Sequence, residues 1–199
     1  KIINFFIKNK KKIILALSII ILLIFSYFIL VEIKNRNKIN IADRYNSLKI
    51  NFDSGKNKNL EKEMIDIVYA KDKTYSPLAL YFLIENNIID SKEKINNLFD
   101  IVINEINLDK EIKNLVLYKQ ALYNSDFASE NELLKILNPI INSDSIWQSH
   151  SLYLLGEYFL SKNEDKKAKE FFEKILILEN SNPKIKLETQ RIIQRDFSE

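Results

Sequence analysis

The sequence predicts an all-α protein in which one transmembrane helix near the N-terminus precedes a domain of helical hairpins. Three observations support this fold class: an uncharged apolar run of membrane-spanning length, a regular alternation of helical patterns with short polar breaks, and only two glycines among 199 residues. Tight β-hairpins and phosphate-binding loops need residues that accept positive φ angles, and glycine accepts them best. Helices need such residues least, so the scarcity of glycine favours a helical fold.

Composition places the chain among folded proteins and narrows its partners. Apolar residues make up 46% and charged residues 29%, which suits a packed core rather than disorder. The 30 basic and 27 acidic residues are closely mixed and leave a net charge of only +3, so we expect no nucleic-acid partner. The sequence contains no cysteine, which excludes disulfides and thiolate metal sites within it. Isoleucine, asparagine and lysine are abundant in every segment, which indicates coding bias rather than function.

The segment Ile13–Val31 is uncharged and apolar, and it predicts a transmembrane anchor. As an α-helix it would be about 28 Å long, close to the hydrocarbon thickness of a bilayer. A buried core helix is one alternative, although such a helix usually keeps a polar stripe. A cleaved signal peptide is another, but its apolar region is usually about 7–15 residues long and ends at a small-x-small site. No such site follows Val31, so we expect an uncleaved anchor.

Basic residues flank this anchor on both sides and indicate its orientation. Before it stand Lys1, Lys8, Lys10, Lys11 and Lys12, and after it stand Lys34, Arg36, Lys38 and Arg44. The larger cluster directly abuts the span and is expected on the cytoplasmic side, where it meets anionic lipid. We therefore predict a basic cytoplasmic segment over 1–12, the anchor over 13–31 and a linker over 32–40 that continues into helix. The repeat domain, 41–199, would then lie outside the cytoplasm, in the periplasm of a Gram-negative cell.

Apolar residues at helical spacing predict nine helices beyond the anchor, and no window shows sustained strand-like alternation. The predicted helices are Ile39–Asp53, Asn59–Ala70, Ser76–Asn87, Lys92–Ile106, Lys110–Tyr123, Glu130–Asn142, Ile146–Ser161, Lys166–Leu178 and Pro183–Phe197. Start signals support several of these boundaries, notably Ser91 before a lysine and a glutamate. Pro77 and Pro183 are expected at first helical positions, where the missing N–H group has no cost.

The clearest internal repeat runs from His150 to Pro183. It reads Leu152-x-x-Leu155-Gly156-x-x-Phe159, then Ala168-x-x-x-Phe172, then Pro183, close to the tetratricopeptide pattern W-x-x-L-G-x-x-Y, A-x-x-x-F, P. Gly156 and Ala168 are small, so two antiparallel helices can approach closely where they cross. The larger residues fill the space around that crossing. The predicted hairpin-packing residues are therefore Leu152, Leu155, Gly156, Phe159, Ala168 and Phe172.

Weaker copies of this unit stand about one repeat length apart in the preceding sequence. The positions equivalent to Gly156 and Ala168 are Ala121 and Leu133, then Leu83 and Ile95, then Leu48 and Leu60. Stacking lets repeats that cannot bury their apolar faces alone be stable together. The pattern predicts a tetratricopeptide-like α-solenoid of about four helical hairpins closed by a C-terminal capping helix. Chance alignment of the three weaker copies is the alternative.

These features together resemble the ancillary subunit of the bacterial SecYEG translocon, the YfgM type. Its soluble part shares a domain family with the tetratricopeptide region of the cell-division coordinator CpoB. The resemblance covers nearly the whole chain and is carried by Ile146–Phe197, by the segment Tyr75-Ser-Pro-Leu-Ala-Leu-Tyr, and by the order of anchor and repeats. It implies a single-pass protein of the bacterial inner membrane with a periplasmic domain. It also implies protein partners, namely translocon subunits, periplasmic chaperones or exported clients.

No arrangement in the sequence predicts catalysis, a cofactor or a small-molecule substrate. The motifs of nucleophile elbows, P-loops and dinucleotide-binding turns are missing. His150 is the only histidine and lacks further ligands at metal-binding spacing, so we predict no metal site. The carboxylate pairs Glu61/Glu63 and Glu170/Glu173 stand among lysines, which is typical of solvated helix faces. We therefore expect a non-enzymatic protein.

One surface remains as a candidate for binding proteins, the groove formed by the first helix of each hairpin. In the register above it would be lined by Leu115, Tyr118, Leu122, His150, Tyr153 and Glu157. The alternative is that these side chains pack against neighbouring helices or the C-terminal helix. The leading functional hypothesis is a membrane-anchored adaptor for the translocon, its chaperones or emerging clients. A structural envelope scaffold, in cell division or outer-membrane assembly, is the second hypothesis.

Overall fold

The computed structural model describes residues 2–53 and 59–197, and in these ranges it contains nine α-helices and no strand. The helices are α1 (Ile2–Asp53), α2 (Leu60–Tyr69), α3 (Tyr75–Glu85), α4 (Lys92–Glu105), α5 (Lys110–Asn124), α6 (Glu130–Ile141), α7 (Gln148–Ser161), α8 (Asp165–Ile177) and α9 (Pro183–Asp196). The predicted all-α class is confirmed. From α2 onward every helix begins and ends within two residues of its predicted boundary, as the two sets of bounds show. The predicted break at Ser54-Gly55 lies outside the described residues.

α1 is one continuous helix that contains the predicted anchor and continues far beyond it. Residues 32–40 are helical, and the predicted helix Ile39–Asp53 is the C-terminal end of α1. Within α1, Leu17–Phe52 is long and apolar enough to cross a membrane, and its most apolar window has a mean hydropathy of 2.3 and is 0% buried. A core helix would be mostly buried, so this exposure disfavours the core-helix alternative.

The chain divides into two compact units, residues 1–63 and residues 64–199. In the second unit each helix from α3 to α8 contacts the next helix along the chain. α5 also contacts α7, and α7 also contacts α9. Short connections make successive helices antiparallel neighbours, and the additional contacts bring alternate helices side by side. This order brings α4, α5 and α6, and separately α5, α7 and α9, close enough to form shared surfaces.

Local sequence signals explain several of the helix boundaries. The Ser91 hydroxyl caps α4 by accepting a bond of 3.2 Å from the backbone N–H of Lys94. Pro183 is the first residue of α9, where the side chain of Asn182 caps the helix. The expectation for Pro77 is wrong, because α3 begins at Tyr75 and Pro77 is its third residue. The first four N–H groups of a helix have no intrahelical partner, so proline fits anywhere in the first turn.

Gly156 allows α7 to pack directly against the aromatic ring of Phe172 on α8. A β-carbon at Gly156 would lie 2.5 Å from Cε1 and 2.7 Å from Cζ of that ring. The nearest group to this position is therefore Phe172, not Ala168, although Ala168 is fully buried in the same core. The other predicted hairpin-packing residues, Leu152, Leu155 and Phe159, also belong to this core and are at most 3% exposed.

Candidate functional site

Three aromatic rings from α5 and the start of α7 form a cluster that contains two of the residues predicted to line the groove. The ring of Tyr118 stacks on Trp147 with centroids 5.8 Å apart and meets His150 edge-on at 5.9 Å. Trp147 and His150 lie 5.2 Å apart. The fold thus brings together two of the predicted groove residues and adds Trp147, which sequence reasoning missed. The tryptophan could have been found from its position three residues before His150, on the same helical face.

Burial favours the neutral form of the two titratable groups in this aromatic cluster. Desolvation lowers the pKa of His150 below its ordinary value, and the backbone carbonyl of Ile146 opposes part of that shift. Desolvation also raises the pKa of the Tyr118 hydroxyl. The imidazole and the phenol therefore both favour their neutral forms, and the cluster is an apolar feature rather than a charged one.

Two other predicted groove residues, Tyr153 and Glu157, are associated with the C-terminal helix. The Tyr153 ring meets Phe172 edge-on at 5.7 Å. Burial raises the pKa of Tyr153 to about 12, and the carboxylates of Glu157 and of Glu188 on α9 add to the shift. These contacts agree with the alternative left open by the sequence, in which the aromatic side chain packs against neighbouring helices. Glu157 itself is exposed.

The remaining predicted groove residues, Leu115 and Leu122, lie on α5. Leu115 is half-buried, whereas the Leu122 side chain is 45% exposed. Leu122 lines a small apolar pocket of about 210 Å³ between α3, α4 and α5. In this pocket the hydroxyl of Tyr81 is buried and has no hydrogen-bond partner within the described ranges. The ammonium group of Lys119 lies 5.3 Å from the centroid of the same ring.

A second and larger concavity lies between α4, α5 and α6 and was not predicted. This cleft has a volume of about 570 Å³ and is lined by Asn96, Asp100, Ile103, Asn104, Leu117, Gln120, Asn124, Phe127, Ala128, Glu132, Lys135 and Ile136. Four carboxamides line it, and those of Gln120 and Asn124 are only 7% and 6% exposed. Sequence reasoning missed Asn96 and Asn124 because asparagine is abundant throughout the chain, and no local pattern marked Gln120.

Three of these carboxamides, on Asn96, Gln120 and Asn124, are joined by hydrogen bonds across two helices. The Nδ2 group of Asn96 on α4 donates to Oδ1 of Asn124 on α5 at 2.9 Å, and Nδ2 of Asn124 donates back to Oδ1 of Asn96 at 2.8 Å. Nε2 of Gln120 donates to the same Asn96 oxygen at 3.5 Å. Reciprocal bonds of this kind fix the orientation of each amide, since a donor must face an acceptor at every contact.

Charged groups at the mouth of the cleft are mixed in sign. Glu132 takes part in a capping box, in which the backbone N–H and the hydroxyl of Ser129 donate to its carboxylate at 2.8 Å and 2.7 Å. These bonds lower the pKa of Glu132 and keep it ionised. Asp100 and Lys135 are the other charged residues of the lining. The lining therefore carries two carboxylates and one ammonium group, and the ammonium group of Lys92 lies 3.6 Å from the ring centroid of Phe127, which also lines the cleft.

No group of three or more histidine, aspartate or glutamate side chains is placed to hold a metal ion in the part of the chain that the structure describes. His150 is surrounded by rings, and Glu170 and Glu173 line a surface concavity beside Lys174 on α8. The prediction of a non-enzymatic protein stays a prediction. No protein-family model matches the chain, and neither the curated proteins nor the solved structures contain a significant match to it.

Proposed function

We propose that this chain is a membrane-anchored protein-interaction module, in which α1 spans the membrane and the helical hairpins bind other proteins. The single observation that carries the proposal is the joining of an exposed apolar helix to a helical unit that has its own buried core. Lipid covers the apolar surface of α1, and the hairpin unit offers clefts for partners. Neither spanning the membrane nor binding other proteins requires the chain to catalyse a reaction.

We propose that the hairpin unit is a tetratricopeptide-like solenoid with α9 as its capping helix. The contact of Gly156 with Phe172 supports this reading, because the tetratricopeptide pattern places a small residue and an aromatic residue at these positions. The contacts of α5 with α7 and of α7 with α9 also support it, since stacked hairpins bring alternate helices side by side.

The function we propose is that of an ancillary translocon subunit, linking export to periplasmic chaperones or exported clients. The lysine-flanked anchor, the order of anchor and hairpins, and the motif of the last hairpin support this choice. The second candidate is an envelope scaffold. The separate clefts on the hairpin unit favour this function, because a scaffold binds several partners at once. The proteins that copurify with the chain distinguish the two functions.

The proposal requires the hairpin unit to lie outside the cytoplasm, because periplasmic partners are found there. We expect alkaline phosphatase fused to the C-terminus to be active, since its disulfides form only in an oxidising compartment. Green fluorescent protein fused at the same point should be dark when the fusion is exported. The two reporters are active in opposite compartments, so each fusion serves as the control for the other. An inactive phosphatase fusion together with a fluorescent green fluorescent protein fusion would place the domain in the cytoplasm and overturn the proposed function.

A further inference from the structure

The small apolar pocket between α3, α4 and α5 is lined by three aromatic rings. They belong to Tyr81 on α3, Phe99 on α4 and Tyr123 on α5. The centroids of the Phe99 and Tyr123 rings lie 6.2 Å apart, a separation typical of packed aromatic pairs. Phe99 is completely buried, whereas Leu122, which also lines the pocket, is 45% exposed. The lining therefore extends from the surface of the hairpin unit to a ring of its core.

The volume of this pocket matches one ring-bearing side chain. The pocket holds about 210 Å³. An apolar cavity of about 150 Å³ is large enough to bind one benzene molecule. The pocket therefore has room for a phenyl ring and the carbon that joins it to a backbone, with little space left for other groups.

The lining offers little to a polar or charged ligand. The Tyr81 hydroxyl is buried away from solvent, and it has no hydrogen-bond partner within residues 2–53 and 59–197. A ligand in the open part of the pocket therefore cannot reach it. The charged residues of the lining are Glu85 and Lys119, and Nζ of the lysine lies 3.9 Å from Oε1 of the glutamate. Because these two charges oppose each other, an uncharged apolar group suits the pocket best.

An aromatic ring gains more from this lining than an aliphatic group of the same size. Aromatic rings attract one another in edge-to-face and offset-stacked arrangements, beyond the effect of the area that they bury. The ammonium group of Lys119, which lies 5.3 Å from the ring centroid of Tyr81, is also available to attract the face of a second ring.

We propose that this pocket binds an aromatic side chain of a partner protein. A single aromatic residue that fills a pocket of the partner is a frequent anchor of protein interfaces. The inference rests on the proposed protein-binding function and names the group by which the partner is recognised.

The test compares two uncharged probes, N-acetylphenylalaninamide and N-acetylcyclohexylalaninamide, by saturation-transfer NMR with the full-length protein in lipid nanodiscs. The two probes have similar shapes, but only the first has an aromatic ring. Empty nanodiscs measure the part of each signal that comes from lipid. We expect the phenylalanine probe to bind about fivefold more tightly, although the cyclohexyl probe is the more hydrophobic of the two.

Leu122→Trp locates this binding, because the larger side chain is expected to fill the pocket and abolish binding of the phenylalanine probe. Ile112→Trp is the matched control. Ile112 is on the same helix and is 43% exposed, close to the 45% of Leu122, but it does not belong to the described lining of the pocket. The control variant should bind the phenylalanine probe as the unaltered protein does.

Equal or tighter binding of the cyclohexyl probe would overturn the inference and would indicate a pocket for aliphatic groups such as acyl chains. This comparison needs no variant, so it stays valid if Leu122→Trp fails to fold. Unchanged binding by folded Leu122→Trp protein, or no binding of the phenylalanine probe, would also overturn the inference. The proposed function fails separately, since it depends on the location of the domain and on copurification of partners, and probe binding requires neither.

Discussion

Replacing Ala168 by glutamate is expected to destabilise the C-terminal core by at least roughly 3 kcal/mol, the largest effect of any substitution considered. The Ala168 side chain is fully buried in a cluster of apolar residues, so a carboxylate placed there would lose its hydration without gaining a partner. The protein is expected either to protonate the new carboxyl group or to open the contact between α7 and α8.

Urea unfolding followed by tryptophan fluorescence measures this effect, because Trp147 is the only tryptophan and packs against the same core. Lys166→Glu is the matched control, since it introduces the same side chain on an exposed position of the same helix. We expect a large fall of the urea midpoint for Ala168→Glu and little change for Lys166→Glu. Equal midpoints for the two variants would show that Ala168 does not lie in the core.

Replacing Gly156 by leucine is expected to have the second largest effect. Its β-carbon would lie 2.5 Å from the Phe172 ring, which is fully buried and cannot swing into solvent. Overpacking a core costs about 1–3 kcal/mol or more, and the gain from replacing glycine within a helix offsets only about 1 kcal/mol of it. We therefore expect a clear net loss of stability in the same fluorescence assay.

A double-mutant cycle identifies the Phe172 ring as the cause of this loss. Gly156→Ala and Phe172→Leu should each destabilise the protein, the first by crowding and the second by leaving a cavity. Combined, they should cost less than the sum of the two single effects, because the smaller side chain makes room for the new β-carbon. Additive effects would mean that Gly156 and Phe172 do not touch.

The helix boundaries could be predicted from the sequence because their signals are local. Ser91, Asn182 and Pro183 act within one turn of the helix that they begin, so no knowledge of the tertiary fold is needed. The capping box of Ser129 and Glu132 is equally local, and its S-x-x-E spacing could have been recognised in advance. The continuity of α1 through residues 32–40 was only partly foreseen, since charged residues there suggest a linker but do not interrupt a helix.

The surfaces between helices were harder to predict. Which side chains meet depends on the rotation and separation of neighbouring helices, and only the last hairpin keeps a specific motif. Tyr118 and His150, which the register places on one face, lie in contact, whereas Tyr153 contacts Phe172. The bonds between Asn96 and Asn124 join residues on different helices, and no local pattern marks them among the many other asparagines.

The central claim is that the hairpin unit recognises partners and that α1 only tethers it near them. A tether contributes by raising local concentration, so any spanning helix of suitable length should serve. The competing view is that the membrane helix recognises partner helices itself, through small residues such as Ala16 and Ser18.

The most direct measurement is copurification in mild detergent after residues 13–31 are replaced by an unrelated spanning helix with the same flanking lysines. The account predicts that the altered protein retains the partners of the unaltered one, with translocon subunits among them. Division proteins in their place would favour the scaffold function. Loss of all partners, with the domain folded and the orientation unchanged, would contradict the central claim.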